Sequence, residues 1–494
     1  MRPTTWAQRL QALTGMFFVV LFCAVAVVPS PAQAPDTLVN FDGTIGGNPA
    51  SMSMIQGTDG NLWGTTLRGG ATYDPGINQG YGEVFKMTPS GAFTIVYNFC
   101  SQANCTDGSF SYAPLVQGTD GNFYGTTAGG GAYNGGSVFK LTPQGELTTL
   151  YSFCEVQGCP DGTNIYGGLI QASNGDFYGV AEEGGTGGGC GCGTVFKITK
   201  KGKLTTIHNF KGADGASPVA ALIQVSSGAF YGMTSTGGAN NSGTVFKMTA
   251  GGKITTLYSF CAQSGCADGG APQDSLVQGS DGNFYGTTYI GGTSPGYGTV
   301  FKITPKGKLT TLQSFNNDGA HPQAPLIQAT DGNFYGVTYN GDGNSEPCIA
   351  GCVFQITPTG TLTNLYQFNT QAAGLQPLGG LTQDTNGNLY GSTYLGGSWG
   401  EGADSGTIFE APVGLGPFVT TTPTFGRVGA KVTILGTDLT SASSVTFNGT
   451  AATFTVVSAT EITTTVPTGA TNGTVEVVTS GGTLTSNPSF TVTK

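Results

Sequence analysis

Thr58-Asp59-Gly60-Asn61-Leu62-Trp63-Gly64-Thr65-Thr66 decides the fold, because the chain repeats it. The phrase returns at 120–127, 174–181, 227–234, 281–288, 331–338 and 386–393. The glycine after the aromatic falls at 64, 125, 179, 232, 286, 336 and 391, so copies stand 50 to 61 residues apart. Periods of this length belong to propellers and solenoids. Asp-Gly and Gly-Asn tolerate positive φ and mark tight hairpin turns. In the second copy, Leu115-Val116-Gln117 precedes the turn and Phe123–Thr127 follows it. A Gly-rich loop of variable length leads to Ser137–Thr142, a second fixed turn at Pro143-Gln144-Gly145, and Leu147–Phe153. β-Branched and aromatic residues fill these four runs, as a pleated, half-buried surface prefers. Four strands in about 50 residues match a propeller blade, whereas a solenoid coil is shorter and needs no pair of hairpins.

The ends of the array sharpen this. Thr37–Phe41 reads as a fourth strand but precedes the first full unit. The seventh unit ends at Thr407-Ile408-Phe409 without a clear fourth strand. The expectation is an all-β fold, a seven-bladed β-propeller over 35–414 closed by the N-terminal strand. Such closure removes a sheet edge that would invite aggregation.

Composition narrows the function classes. Of 494 residues, 84 are glycine, only 9% are charged, and the formal net charge is −10. An acidic surface attracts neither nucleic acid nor anionic membrane. Two histidines, His208 and His321, are too few for a multi-histidine metal site. Residues 1–34 read as a signal peptide: Arg2 and Arg9, an apolar run Met16–Val28, then Ala32-Gln33-Ala34. That run is shorter than the roughly 20 residues a bilayer span needs. The expected location is therefore secreted, periplasmic or extracellular, with no membrane span in the mature chain.

The phrase D-G-N-[FL]-[YW]-G-T-T, a Gly-Gly loop, then [TS]-V-F-K-[ILM]-T-P-x-G-x-L-T-T-L-Y-S-F resembles the GloVer (Gloeo/Verruco) tandem repeat of secreted bacterial proteins, over about 37–413. That family brings no established activity. The units also look distantly like the D-G-N-L-W units of streptogramin-lyase propellers, which rely on catalytic histidine. From about Gly416 the composition shifts to Thr, Val and Ser, and cysteine disappears. Thr422-Pro423-Thr424-Phe425-Gly426, Val432–Leu439 and Val445-Thr446-Phe447-Asn448-Gly449 resemble an IPT/TIG domain. The resemblance implies an immunoglobulin-like β-sandwich over 415–494, of a kind that serves as spacer or binding platform.

Ten cysteines remain after the leader and fall in close pairs. Cys100 stands with Cys105, Cys154 with Cys159, Cys190 with Cys192, Cys261 with Cys266, and Cys348 with Cys352. An even count in an exported chain reads as disulfides. Zinc is the alternative, although paired C-x₂-C knuckles are missing. Cys190 and Cys192 lie near the geometric limit for bridging. The recurrent aspartates Asp107, Asp161, Asp214, Asp268 and Asp318 precede glycine in one connection and read as turn residues. The repeated Lys86, Lys140, Lys197, Lys247 and Lys302 read as a packing feature of each unit.

Loop variability points to a site. The loops between second and third strands and the connections between units share one face, and both vary in length. Function tends to sit on such loops over a rigid scaffold. This face carries Tyr73, Tyr81, Tyr133, Tyr289, Tyr297, Tyr339, Tyr394 and Trp399. Its acids are Asp74, Glu182, Glu183, Asp342, Glu346, Glu401 and Asp404. Tyr73, Tyr133, Tyr297, Tyr339, Tyr394 and Trp399 are the expected ligand-binding residues. Exposed rings with polar neighbours suit a glycan or another extracellular polymer. The expected function is non-enzymatic binding, with no catalytic residue, no cofactor, and calcium left open as a ligand. A propeller lyase or glycoside-active enzyme and a structural surface protein are the rivals.

Overall fold

The computed structural model describes residues 35–42, 45–49, 53–72, 80–187, 189–293, 296–316, 319–341, 348–397 and 405–493. The expected leader, 1–34, lies outside them. Among the described residues the fold is all-β, and no helix is long and apolar enough to cross a membrane.

Each repeat folds as a four-stranded antiparallel sheet of the kind that builds propellers. In the second, Val116–Gln117, Phe123–Thr127, Ser137–Leu141 and Leu147–Ser152 pair in chain order. Five further repeats give sheets of the same order. In the last repeat, Thr407–Ala411 instead pairs with Asp36–Asn40 from the start of the chain, with Asp36 opposite Glu410 and Asn40 opposite Thr407. Leu375–Pro377 pairs with Leu389–Leu395 as a short strand where other repeats make a single bridge, such as Ser109 with Gly129. The third and fourth strands of the other sheets share one irregularity, for example between Val138 and Phe139. A bulge there increases twist.

The signature residues have physical reasons. A Cβ on Gly125 would stand 2.5 Å from Phe139 Cζ, and one on Gly64 2.5 Å from Phe85 Cζ. Only glycine lets the buried phenylalanine of the third strand cross the second. The aromatic before this glycine packs on the next sheet: Trp63 lies 4.0 Å from Phe123, Tyr124 4.1 Å from Phe177, and Tyr285 4.0 Å from Phe334. Stacked rings are worth about 0.5–1.5 kcal/mol beyond their burial. Tyr390 of the last repeat shares a core cluster with Leu62 and Met54 of the first. The turn aspartate serves the same ring, since Asp120 Oδ2 accepts from Tyr124 Oη at 2.8 Å. Three of the repeated lysines, Lys86, Lys247 and Lys302, lie over this ring; Lys302 Nζ is 5.3 Å from the Tyr285 centroid and 2.7 Å from Asp281 Oδ2.

Glutamines link neighbouring repeats. Gln117 Oε1 accepts from Thr58 N, Gln171 from Thr119 N, and Gln224 from Ser173 N, all at 2.8–2.9 Å. Gln328 and Gln383 accept likewise from Ser280 N and Thr330 N. Gln56 of the first repeat accepts from Thr385 N of the last, at 3.3 Å.

Beyond residue 417, Thr420–Thr422, Lys431–Leu435, Glu461–Thr465 and Phe454–Val456 form one antiparallel sheet. Thr450–Ala451, Ser444–Phe447, Val475–Thr479 and Gly482–Thr485 form a second. Val432, Ile434 and Ile462 of the first share one core with Val445, Phe447, Val475 and Val477 of the second. This unit rests on the D-G-N turns. Thr460 Oγ1 donates to Thr58 O, Asn487 Nδ2 to Gln328 O, and Phe418 N to Thr385 O.

All five cysteine pairs are bridged: Cys100 to Cys105, Cys154 to Cys159, Cys190 to Cys192, Cys261 to Cys266, and Cys348 to Cys352. The second cysteine of each six-residue loop also closes a backbone turn. Cys105 N donates to Gln102 O, Cys159 N to Val156 O, and Cys266 N to Gln263 O, all at 3.0 Å. The carbonyls of Cys105, Cys159 and Cys266 in turn accept from Gly131, Gly185 and Gly292 of the Gly-rich loops. Each bridge thereby ties the connection between repeats to the variable loop beside it. The recurrent aspartates brace the same connections. Asp107 Oδ2 accepts from Tyr97 Oη at 2.8 Å and Ser101 N at 2.9 Å, and Asp268 does the same with Tyr258 and Ala262. His208 stands in the place of Tyr258, and its Nε2 lies 2.9 Å from Asp214 Oδ2. Asp318 lies outside the described residues.

Candidate functional site

One backbone feature builds the site. Just before its first strand, each repeat has a non-glycine residue at positive φ: Asn48, Phe110, Asn164, Ser217, Ala271, His321 and Gln376. Left-handed geometry costs such residues roughly 1–2 kcal/mol each. Single bridges fix the residue just before it, as Ser109 pairs with Gly129 and Gly270 with Ile290. The turn sends the following residues inward. They meet around one cavity of about 340 Å³, lined by Ser53, Tyr112, Tyr166, Val219, Gln273, Gln323 and Leu378 among others. All seven repeats thus contribute to one wall.

The wall is uneven. Tyr112 and Tyr166 meet edge to face at 4.7 Å. Glu182 and Ser235, each directly after a second strand, also line the cavity. Burial, then the charge of Glu183, holds the Glu182 carboxyl above its usual range. Burial raises the Tyr166 phenol, with smaller contributions from Tyr112, Glu182 and Glu183. Asp274 lines the cavity where five other repeats place Ala113, Gly167, Ala220, Ala324 and Gly379. Its Oδ2 is closed off from solvent and has no hydrogen-bond donor. Burial pushes this carboxyl well above the ordinary aspartate value.

The expected tyrosines divide. Tyr339 and Tyr394 occupy the same repeat position as Glu182, but neither is among the lining residues of the cavity. Burial raises the Tyr339 phenol, followed by the influence of Tyr394 and Tyr289. Tyr339 Oη donates to Gln376 Oε1 at 2.9 Å. Tyr297 is turned to packing: its ring meets His321 edge-on at 5.5 Å. His321 is itself held by Tyr289, ring against ring at 4.5 Å and Nδ1 against the Tyr289 carbonyl at 2.9 Å. Tyr81 packs on Phe110. Tyr133 is exposed beside Glu155, away from the cavity lining. Tyr73 and Trp399 lie outside the described residues, as do Asp74, Asp342, Glu346, Glu401 and Asp404. Sequence reasoning passed over Tyr112, Tyr166, Gln273, Asp274 and Gln323. Among the described residues no group of three or more His, Cys, Asp or Glu side chains could hold a metal ion.

The opposite end of the array is the seat of the C-terminal unit. Two clefts, of about 930 and 770 Å³, flank that contact between the turns and the sheet containing Lys431–Leu435.

The model of the Gloeobacter/Verrucomicrobia repeat matches residues 26–186, 72–278 and 262–457, which together take in most of the chain. No curated protein matches. Among solved structures, a streptogramin B lyase is 16% identical, with 78% of this chain and 94% of that one covered, at TM-score 0.47. The virginiamycin B lyase of Staphylococcus aureus is 14% identical, covering 73% and 95%, at 0.47. The extracellular domain of a hybrid two component system of B. thetaiotaomicron is 13% identical, covering 92% and 59%, at 0.49. At these values the likeness says nothing about activity.

Proposed function

The chain belongs to the Gloeobacter/Verrucomicrobia repeat family, and from that premise we propose an exported binding protein whose ligand enters the loop-side mouth of a closed ring. The ring is read as seven-bladed, with the strand Asp36–Asn40 completing the last blade. Two contacts support closure: Gln56 accepts from Thr385 N as other glutamines accept from the preceding repeat, and Tyr390 packs with Leu62. The C-terminal unit is read as an IPT/TIG-type, immunoglobulin-like module, and residues 1–34 as a cleaved leader. Five bridges suit an oxidising compartment.

The observation that carries the binding role is the uneven wall. A scaffold this regular needs no variation at its centre. Yet tyrosine, glutamine and carboxylate there replace the small or apolar residues of other repeats. A cavity of about 340 Å³ suits a small ligand or the end of a chain. Paired tyrosine faces beside amide and carboxyl groups fit a sugar of an extracellular glycan. The test is a glycan array with the mature protein, with and without calcium. Tyr112→Ala with Tyr166→Ala should weaken a binder tenfold to a hundredfold, since a stacked ring is worth on the order of 1–3 kcal/mol. No retained glycan, or equal binding by the double variant, would overturn the reading.

Glu182 and Asp274 in one cavity favour a second reading, acid–base chemistry on a glycosidic bond. Product release from an oligosaccharide, lost in Glu182→Gln, would distinguish it from binding alone.

A further inference from the structure

We propose that Asp274 anchors a subsite for an organic ammonium group, carried by an amino sugar or by an aliphatic amine. The inference rests on the reading that the cavity takes a ligand, and names the ligand's charge.

Five repeats place alanine or glycine at the Asp274 position, so the fold does not need a carboxylate there. Asp274 Oδ2 has no donor within the described residues. A carboxylate kept this way is costly whether ionised or neutral, because no partner offsets the loss of water. Burial accordingly raises its pKa. Asp274 is still partly exposed along the cavity, so an ammonium group there reaches the open part of the side chain, and its positive charge offsets the loss of water at the shut-off oxygen.

The rest of the wall agrees. Glu182 adds a second acid, and none of the described lining residues is Lys, Arg or His. Arg68, whose charge is felt at Tyr112, is not among the lining residues. Tyr112 and Tyr166 offer ring faces of the sort that attract cations. Gln273 and Gln323 bring amide oxygens that accept from an ammonium. A bare divalent ion fits less well, since calcium takes six to eight oxygen ligands and the lining holds two carboxylates.

The experiment is calorimetry on the mature, disulfide-bonded chain with four probes: glucosamine, N-acetylglucosamine, cadaverine and calcium chloride. Glucosamine should bind at least tenfold more tightly than its acetylated, uncharged counterpart. Cadaverine distinguishes the carriers: binding equal to glucosamine assigns the site to the amine itself, and weaker binding assigns it to the aminated sugar. Asp274→Ala restores the residue of three other repeats and should fold while losing at least tenfold in amine affinity. Asp274→Asn, which keeps the shape without the charge, should lose as much. Equal binding of the amine and the acetamide would overturn the proposal. So would undiminished amine binding by both variants, or calcium binding in place of the amine. If N-acetylglucosamine binds and the amine does not, the glycan reading survives and this one fails. If neither sugar nor amine binds, both fail.

Discussion

Glu83 stands where the other repeats carry Ser137, Thr194, Thr244, Thr299, Cys352 and Thr407. In four of those repeats the hydroxyl pairs with a second-strand threonine, as Ser137 does with Thr127 at 2.8 Å. Glu83 is fully buried, and neither carboxyl oxygen has a partner within the described residues. Burial, then the nearby charge of Asp42, pushes its pKa from 4.5 up to about 7. The unfolded chain ionises above 4.5 while the folded chain keeps its proton, so stability present below 4.5 is lost as pH rises through 7. Each pH unit between those values costs about 1.4 kcal/mol, which amounts to about 3 kcal/mol by pH 8. Glu83→Thr removes that loss and offers Thr66 a hydroxyl, for about 1 kcal/mol at every pH. The variant should therefore melt modestly higher than the parent at pH 5 and by a clearly larger margin at pH 8. Other carboxyls raised by burial, such as Asp384 at about 6, act in both proteins and cancel in the difference. Parallel pH profiles, or a variant less stable at pH 8, would refute the argument.

Gly125→Ala forces a methyl group against Phe139 and should cost about 1–3 kcal/mol, read as a lower urea midpoint. Ala128→Gly, just past the same strand, is the control and should shift the midpoint less. Deleting 36–40 removes the partner of Thr407–Ala411 and exposes an edge. Size-exclusion chromatography should then find soluble aggregates, and a monomer of unchanged melting temperature would count against closure.

Much of the sheet framework was legible because its causes are local. An Asp-Gly-Asn turn, a glycine under a phenylalanine and an alternating strand act within a few residues, and each recurs. Phe123–Thr127 and the hairpin at 143–145 fall where the repeat phrase placed them. The bridges were legible for the same reason, since Cys105, Cys159 and Cys266 each stand five residues after their partners. The strand Leu375–Pro377 was not legible, since the contact that other repeats make as a single bridge, such as Ser109 with Gly129, lengthens into a strand only here. The site was less legible for a related reason. Tyr297 and Tyr133 sit in variable loops, but whether a loop ring faces a ligand or its own neighbours depends on packing across repeats. Tyr112, Tyr166 and Asp274 lie in the connection before the first strand, where the left-handed residue turns the chain inward. A signal did exist: Asp274 stands in a column of alanine and glycine.

The pairing of Asp36–Asn40 with Thr407–Ala411 also sets an order of events. The strand Asp36–Asn40 leaves the ribosome long before its partner Thr407–Ala411. Spanning the whole array instead of one repeat raises the entropic cost of joining the ends by only about 2 kcal/mol. The delay matters more than the cost, because contacts so distant in sequence form slowly. Until Ala411 is out, the last sheet lacks its outer strand and the first repeat lacks its neighbour. A nascent chain therefore passes through a form in which Asp36–Asn40 is unpaired, and a truncation anywhere before residue 407 would leave it so.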